Sequence, residues 1–198
     1  EESRKAAIDD IVRLSRAGES LLVKVSSPQA ADEYIRGFKG IDSSRIIRVD
    51  ARNSEEITTL VKKLSSTAGM IGIVTNIGGI GIDIQINEEI ANHGGIIAIS
   101  TYVDESQLDE EQFKGRVGRN NQPGRYIAHW SLEDEIFTRY QEVAQEARGI
   151  LARKTAKGPA SGEDSMAVIT HLRRLISEQN IHSIQEAKRR DDLPPAQR

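Results

Sequence analysis

Two arginines three apart, each preceded by glycine, stand at Arg116 and Arg119 in Gly115-Arg116-Val117-Gly118-Arg119, with Gln112 just before them. A guanidinium is planar, permanently charged and matches phosphate oxygens two at a time, so such a pair suits a polyphosphate. Arginines of this kind commonly act as arginine fingers, worth roughly 10³–10⁵ in rate in nucleotide hydrolysis. A plain surface turn would have the same composition, so the context decides. A second stretch, Thr75-Asn76-Ile77-Gly78-Gly79-Ile80-Gly81-Ile82-Asp83-Ile84, follows an apolar run. A glycine-rich loop at the end of a strand presents backbone N–H groups to an anion. Asp83 could orient a water, a hydroxyl or an arginine there, or it could cap a tight turn. Gly79 and Gly81 lack the third glycine of a dinucleotide loop, Ile84 standing in its place, which argues against that cofactor.

The elements that must position these residues follow from the apolar pattern. A helix is expected over 4–17, with Ile8, Ile11 and Val12 on one face and Gly18 as its stop. Leu21–Val25 reads as a buried strand. Ser27 offers an N-cap with Pro28 at the first helical position, and Ala31, Tyr34, Ile35 and Phe38 face inward until Gly40. Arg45–Val49 is the next strand. Asn53 with Glu56 resembles a capping box opening a helix with Ile57, Leu60, Val61 and Leu64 inward. Met70–Val74 and Gly95–Ile99 are strands, a helix over 106–114 leads into the arginines, and Tyr126–Trp130 is a fifth strand. Strands alternating with helices predict an α/β fold with a mainly parallel sheet covered on both faces, where ligands gather at the carboxyl ends of the strands. Beyond Leu132 the pattern becomes helical: one helix over 133–151, a turn or linker over 156–164, and a helix over 165–190 carrying Val168, Leu172, Leu175, Ile176, Ile181 and Ile184. Lys188-Arg189-Arg190 before Asp191-Asp192 reads as a solvated helix end.

The totals exclude several classes. The 198 residues carry 27 Lys+Arg against 30 Asp+Glu, a net charge of -3, which argues against obligatory binding to bare nucleic acid. With no cysteine there are no disulfides or thiolate metal sites, and the four histidines (His93, His129, His171, His182) show no ligand spacing and read as surface or cap residues. No apolar run approaches the ~18 residues of a membrane span. The start at Glu1-Glu2 without a methionine reads as a piece of a longer protein.

Taken together, the two stretches resemble the SecA protein-translocation ATPases, in particular their second RecA-like motor domain. Thr75-Asn76, Gly79, Gly81 and Asp83-Ile84 fit motif V of that family. Glu88, Ala91 and Gly94-Gly95 follow at its spacing, then Ile99 and Thr101. Glu105-Ser106, Gln112, Gly115–Arg119 and Pro123-Gly124 fit motif VI. Ser131-Leu132-Glu133-Asp134 matches the end of the domain, and Glu178 through Leu193 is similar to the start of the long scaffold helix. The resemblance implies a RecA-like sheet over 1–145 and a helical extension over 146–198. It implies that Arg116 and Arg119 reach across a cleft to ATP, that Gln112 positions them or contacts the nucleotide, and that Gly79, Gly81 and Asp83 line the same cleft. It further implies ATP/ADP with Mg²⁺ held mainly by a first motor domain of the same protein. A translocated polypeptide, a membrane translocon and a cytoplasmic location, peripheral at the membrane, follow from it too.

Two departures bear on turnover. Motif V has Arg and Thr in the family where this chain has Ile80 and Ile82, and a basic pair before motif VI is replaced by Gln107 and Leu108, followed by Asp109-Glu110-Glu111. Both changes weaken the expected attraction for phosphate. No G-x-x-x-x-G-K-[ST] loop occurs in the chain, so this segment alone is expected to be inactive as an ATPase. The alternatives are the C-terminal domain of a superfamily-two nucleic-acid helicase and an interaction module that keeps the fold without turnover.

Overall fold

The computed structural model describes residues 2–50, 54–75, 83–131, 133–155 and 168–178. They divide into two compact units, one of Glu1–Asp104 with Leu108–Ser131 and one of Glu105–Gln107 with Leu132–Arg198.

The first unit is a five-stranded, wholly parallel sheet of β1 (Ser20–Lys24), β2 (Ile46–Val49), β3 (Ile71–Val74), β4 (Ile96–Ser100) and β5 (Gly124–Ala128), in the order β2-β3-β1-β4-β5. The three inner strands are buried on both faces, which is why each reads as a continuous apolar run. Alternate side chains serve opposite layers. Leu21, Val23, Ile71, Ile73, Ile97 and Ile99 pack under α1 (Glu2–Arg16) and α2 (Pro28–Gly37) with Ala7, Ile11, Ala31 and Tyr34. Leu22, Val74, Ile96 and Ala98 pack under α3 (Ile57–Ser66), α4 (Glu88–Asn92) and α5 (Gln107–Lys114) with Leu60, Leu64, Ile90 and Phe113. A Cβ at Gly72 would stand 2.6 Å from Leu60 Cδ1 and 3.0 Å from Leu64 Cδ1, so this glycine sets how closely α3 approaches β3.

Local signals explain most boundaries. Ser27 accepts from the Ala30 N–H at 3.1 Å, with Pro28 opening α2. Gly18 and Gly40 adopt φ of +83° and +79° where the chain turns out of α1 and α2. The capping box read at Asn53 and Glu56 falls partly outside the described residues, which do not include Asn53. Glu56 ends a 3₁₀ turn, Ser54–Glu56, that leads straight into α3, where it stands at the N-cap and makes no side-chain cap bond. The sequence reading also passed over α4, although Asn87 caps it by accepting from Ile90 N–H at 3.0 Å and Glu88 and Glu89 fill its first turn.

In the second unit the single helix expected over 133–151 is two, α6 (Glu135–Arg139) and α7 (Gln141–Thr155). Tyr140, at φ -114° and ψ 71°, breaks the run. Ile136, Phe137, Ala144 and Ala147 are buried, as are Val168, Ile169, Leu172 and Ile176 of a further helix over 168–178. The 156–164 linker, Ile181, Ile184 and the 188–192 charge run lie outside the described residues.

Candidate functional site

Helix α5 starts beyond the carboxyl end of β4 and runs back, so the turn after it delivers Arg116 and Arg119 to the amino end of β5 rather than to the carboxyl crest where a parallel sheet usually gathers ligands. The turn is held tightly. Gly115 N–H donates to Glu111 O at 2.9 Å, Arg116 N–H to Phe113 O at 3.0 Å and Gln122 N–H to Arg119 O at 2.9 Å. Gly118 takes φ +68°, and two non-glycine residues, Asn120 and Asn121, take 54° and 61°, a conformation asparagine tolerates better than most side chains. Gly95, at φ +81°, passes so close that a Cβ there would lie 1.8 Å from Pro123 O.

Arg119 donates through Nε to Gly115 O, which fixes the base of its guanidinium. Its Nη1 lies 3.7 Å from Asp83 Oδ1, an ion pair without a hydrogen bond, and both side chains are nearly half exposed. Arg116 is half-buried. Burial first, and then the charge of Arg119, lower its pKa below the ordinary value, yet a guanidinium stays protonated in water. Two neighbouring cations that raise each other's energy make a seat that a multiply charged anion relieves. Gln112 is exposed on α5, one turn before Arg116. Gly79 and Gly81, with Ile80 and Ile82, lie outside the described residues, so of the predicted set the structure brings together Arg116, Arg119 and Asp83.

Residues 83–87 run beside the arginine turn, and the residue that clamps them was not legible as a site residue. Gln122 accepts from Ile86 N–H at 3.3 Å and donates to Ile86 O at 3.0 Å, like a neighbouring strand. A glutamine before proline in a polar turn carries no signal of such a clamp. The acidic run also differs from its appearance in the sequence. Glu110 is buried, 2.8 Å from Lys114 Nζ, and accepts from Tyr126 Oη at 3.1 Å, so only Asp109 and Glu111 add negative field outside. Among the described residues, no group of His, Asp or Glu is assembled to hold a metal ion.

Histidine 129 corrects the surface reading. It is mostly buried at the end of β5, its Nε2 3.2 Å from Asp10 Oδ2 but misaligned for a hydrogen bond. Burial lowers its pKa, with Asp10 opposing. His93 caps α4, and His171 pairs with Glu146 at 2.8 Å. His182 lies outside the described residues.

No family model matches the chain. Among curated proteins, it is 32% identical over 138 residues to the protein translocase subunit SecA of Campylobacter concisus, covering 69% of this chain and 15% of that protein. The SecA of Heliobacterium modesticaldum is 27% identical over 195 residues, covering 98% of this chain and 23% of its own length. The chain belongs to the SecA family. As a SecA-family segment it spans less than a quarter of these relatives. Its fold is that of a RecA-like helicase or ATPase C-terminal domain. The crystal structure of the C-terminal part of the Fun30 ATPase domain superposes with a TM-score of 0.53 at 17% identity, covering 89% of this chain and 53% of that one.

Proposed function

We propose that this SecA-like chain is the second nucleotide-binding half of an ATPase motor, with residues 1–145 as the motor domain and 146–198 as a helical extension. Arg116 and Arg119 act as arginine fingers on an ATP whose magnesium and phosphates are held mainly by a first motor domain of the same protein. The observation that carries this reading is the adjacent guanidinium pair on a turn held by its own backbone, with Asp83 3.7 Å from Arg119. A finger is donated to a site built by another domain, so it need not stand on the carboxyl crest of its own sheet. Asp83 offers Arg119 a resting partner that phosphate can displace, since an exposed pair of this kind contributes only ~0–1 kcal/mol. ATP supplies the phosphoryl group. This chain's part is to place two positive charges where negative charge develops and to withdraw them when Asp83 recaptures Arg119. Gln112, exposed one turn earlier, would contact the nucleotide or the attacking water's network, and Gly79 and Gly81 would complete the wall beside Asp83.

The relatives are named protein translocase subunits, which supports a direction of work in which nucleotide-driven closure would move a polypeptide at a membrane translocon, from the cytoplasmic side. No helix among the described residues is long and apolar enough to cross a membrane. Binding of a fluorescent ATP analogue to the full-length protein, beside single-stranded RNA in a filter assay at low salt, tests the reading. Nucleotide binding weakened in Arg116→Ala, with little RNA retained, is expected. Tight, salt-sensitive RNA binding would favour the helicase alternative, and absent nucleotide binding would favour the interaction module.

A further inference from the structure

Helix α5, which carries the arginine turn, is poorly supplied with apolar anchors: within it only Glu110 and Phe113 are buried. Beneath it lie paired charges. Lys24, the last residue of β1, is almost fully buried and stands 2.6 Å from Asp104, which is equally buried just beyond β4. The same ammonium sits over two rings, 5.4 Å from the centre of Tyr102 and 5.5 Å from that of Phe113 on α5. A second pair lies within α5 itself and meets the sheet through Tyr126. Lys114 Nζ is 2.8 Å from Glu110 and 4.9 Å from the ring centre of Tyr126, whose hydroxyl donates to Glu110. Both phenols are pushed far up, first by burial and then by the Asp104 or Glu110 carboxylate, so they remain protonated donors. Buried ion pairs contribute little net stability but cost much when one partner is removed, and their directional contacts specify one arrangement over its neighbours.

We propose that the contacts crossing from α5 to the sheet, Lys24 under the Phe113 ring and Tyr126 against Glu110 and Lys114, seat α5 and thereby aim Arg116 and Arg119, with the Lys24–Asp104 pair and the Lys114–Glu110 pair within α5 holding those groups in place, which makes Lys24 and Glu110 positioning residues for the nucleotide. The connection is short. Lys114 directly precedes Gly115, and Gly115 N–H and the Arg119 side chain both bond within the turn that α5 begins. A slip of α5 would carry both guanidiniums with it. Polar contacts resist such a slip better than a greasy face, because they fail in every register but one. The inference rests on the arginine-finger reading above.

The test is a mutant cycle on steady-state ATP turnover of the full-length protein: wild type, Glu110→Gln, Lys24→Met, Arg119→Ala, and Glu110→Gln with Arg119→Ala. Each network variant is expected to lose roughly 10-fold or more in kcat, as small misplacements of catalytic groups do, with KM for ATP within about twofold of wild type. In the Arg119→Ala background, Glu110→Gln should cost clearly less than it does in wild type, the remainder acting through Arg116, because coupled groups are not additive. Glu110→Gln is nearly isosteric and keeps an acceptor for Tyr126, so it carries the test even where Lys24→Met fails to fold. Full kcat in Glu110→Gln, or losses that multiply in the double variant, overturns the positioning role and leaves the arginine-finger reading standing. Turnover that is absent in wild type, or untouched by Arg119→Ala, overturns that reading and this inference with it.

Discussion

Arg119 is held at its base by Gly115 O and approached at its tip by Asp83, so its guanidinium has one fixed and one exchangeable contact. Gln122 keeps that exchangeable partner near by binding both backbone groups of Ile86, three residues from Asp83. Replacing Gln122 with alanine removes two hydrogen bonds and leaves a part-buried backbone amide and carbonyl to find water. The expected loss is about 1–3 kcal/mol in chemical unfolding, with faster amide exchange over residues 83–87. An unchanged exchange rate there would show that the clamp is dispensable. Arg116 and Arg119 stood out as candidates because glycine before arginine, repeated at a spacing of three, falls in a motif order shared with the glycine-rich stretch before it. Gln122 did not, because its role is defined only by the strand-like segment it meets.

At the scale of elements, the turn depends on backbones that pass without side chains between them. Gly95 combines φ +81° with a would-be Cβ contact of 1.8 Å to the Pro123 carbonyl, a backbone atom that has no rotamer to move. Gly95→Ala should therefore cost more than about 3 kcal/mol, measured by urea unfolding, whereas at Gly94, with open space around it, strain from φ alone remains. A loss below 1 kcal/mol at Gly95, on the scale of an ordinary surface change, would contradict the close approach. His129 gives α1 a pH dependence. Its pKa is lowered in the fold from the ordinary 6.5 by burial against the Asp10 side of α1. Stability from this group is full above that ordinary value and is lost as pH falls below it toward the folded pKa, since the unfolded chain takes the proton first. His129→Gln should flatten that part of the urea-midpoint profile, and an unchanged slope would exclude His129 as its source. The strands and α2 were legible because continuous apolar runs and a Ser-Pro cap have few other uses. The split of α6 from α7 was not, because Tyr140 is a permitted helix residue and no glycine or proline beside it marks a break.

At the scale of the molecule, the alternation of strands and helices and the doubled apolar faces established the layered sheet, while the family followed from ordered motifs rather than from composition. The acidic run before the arginines shows the limit of reading charge from sequence: Glu110 looks like part of a repulsive patch and instead lies buried against Lys114. The central claim is that the arginine pair serves a nucleotide site, and steady-state ATP hydrolysis by the full-length protein tests it most directly. Wild type should turn over, and Arg116→Ala and Arg119→Ala should each lose roughly 10²-fold or more in kcat while remaining folded. A wild type inert at every nucleotide concentration, or arginine variants that hydrolyse ATP at the wild-type rate, would contradict it.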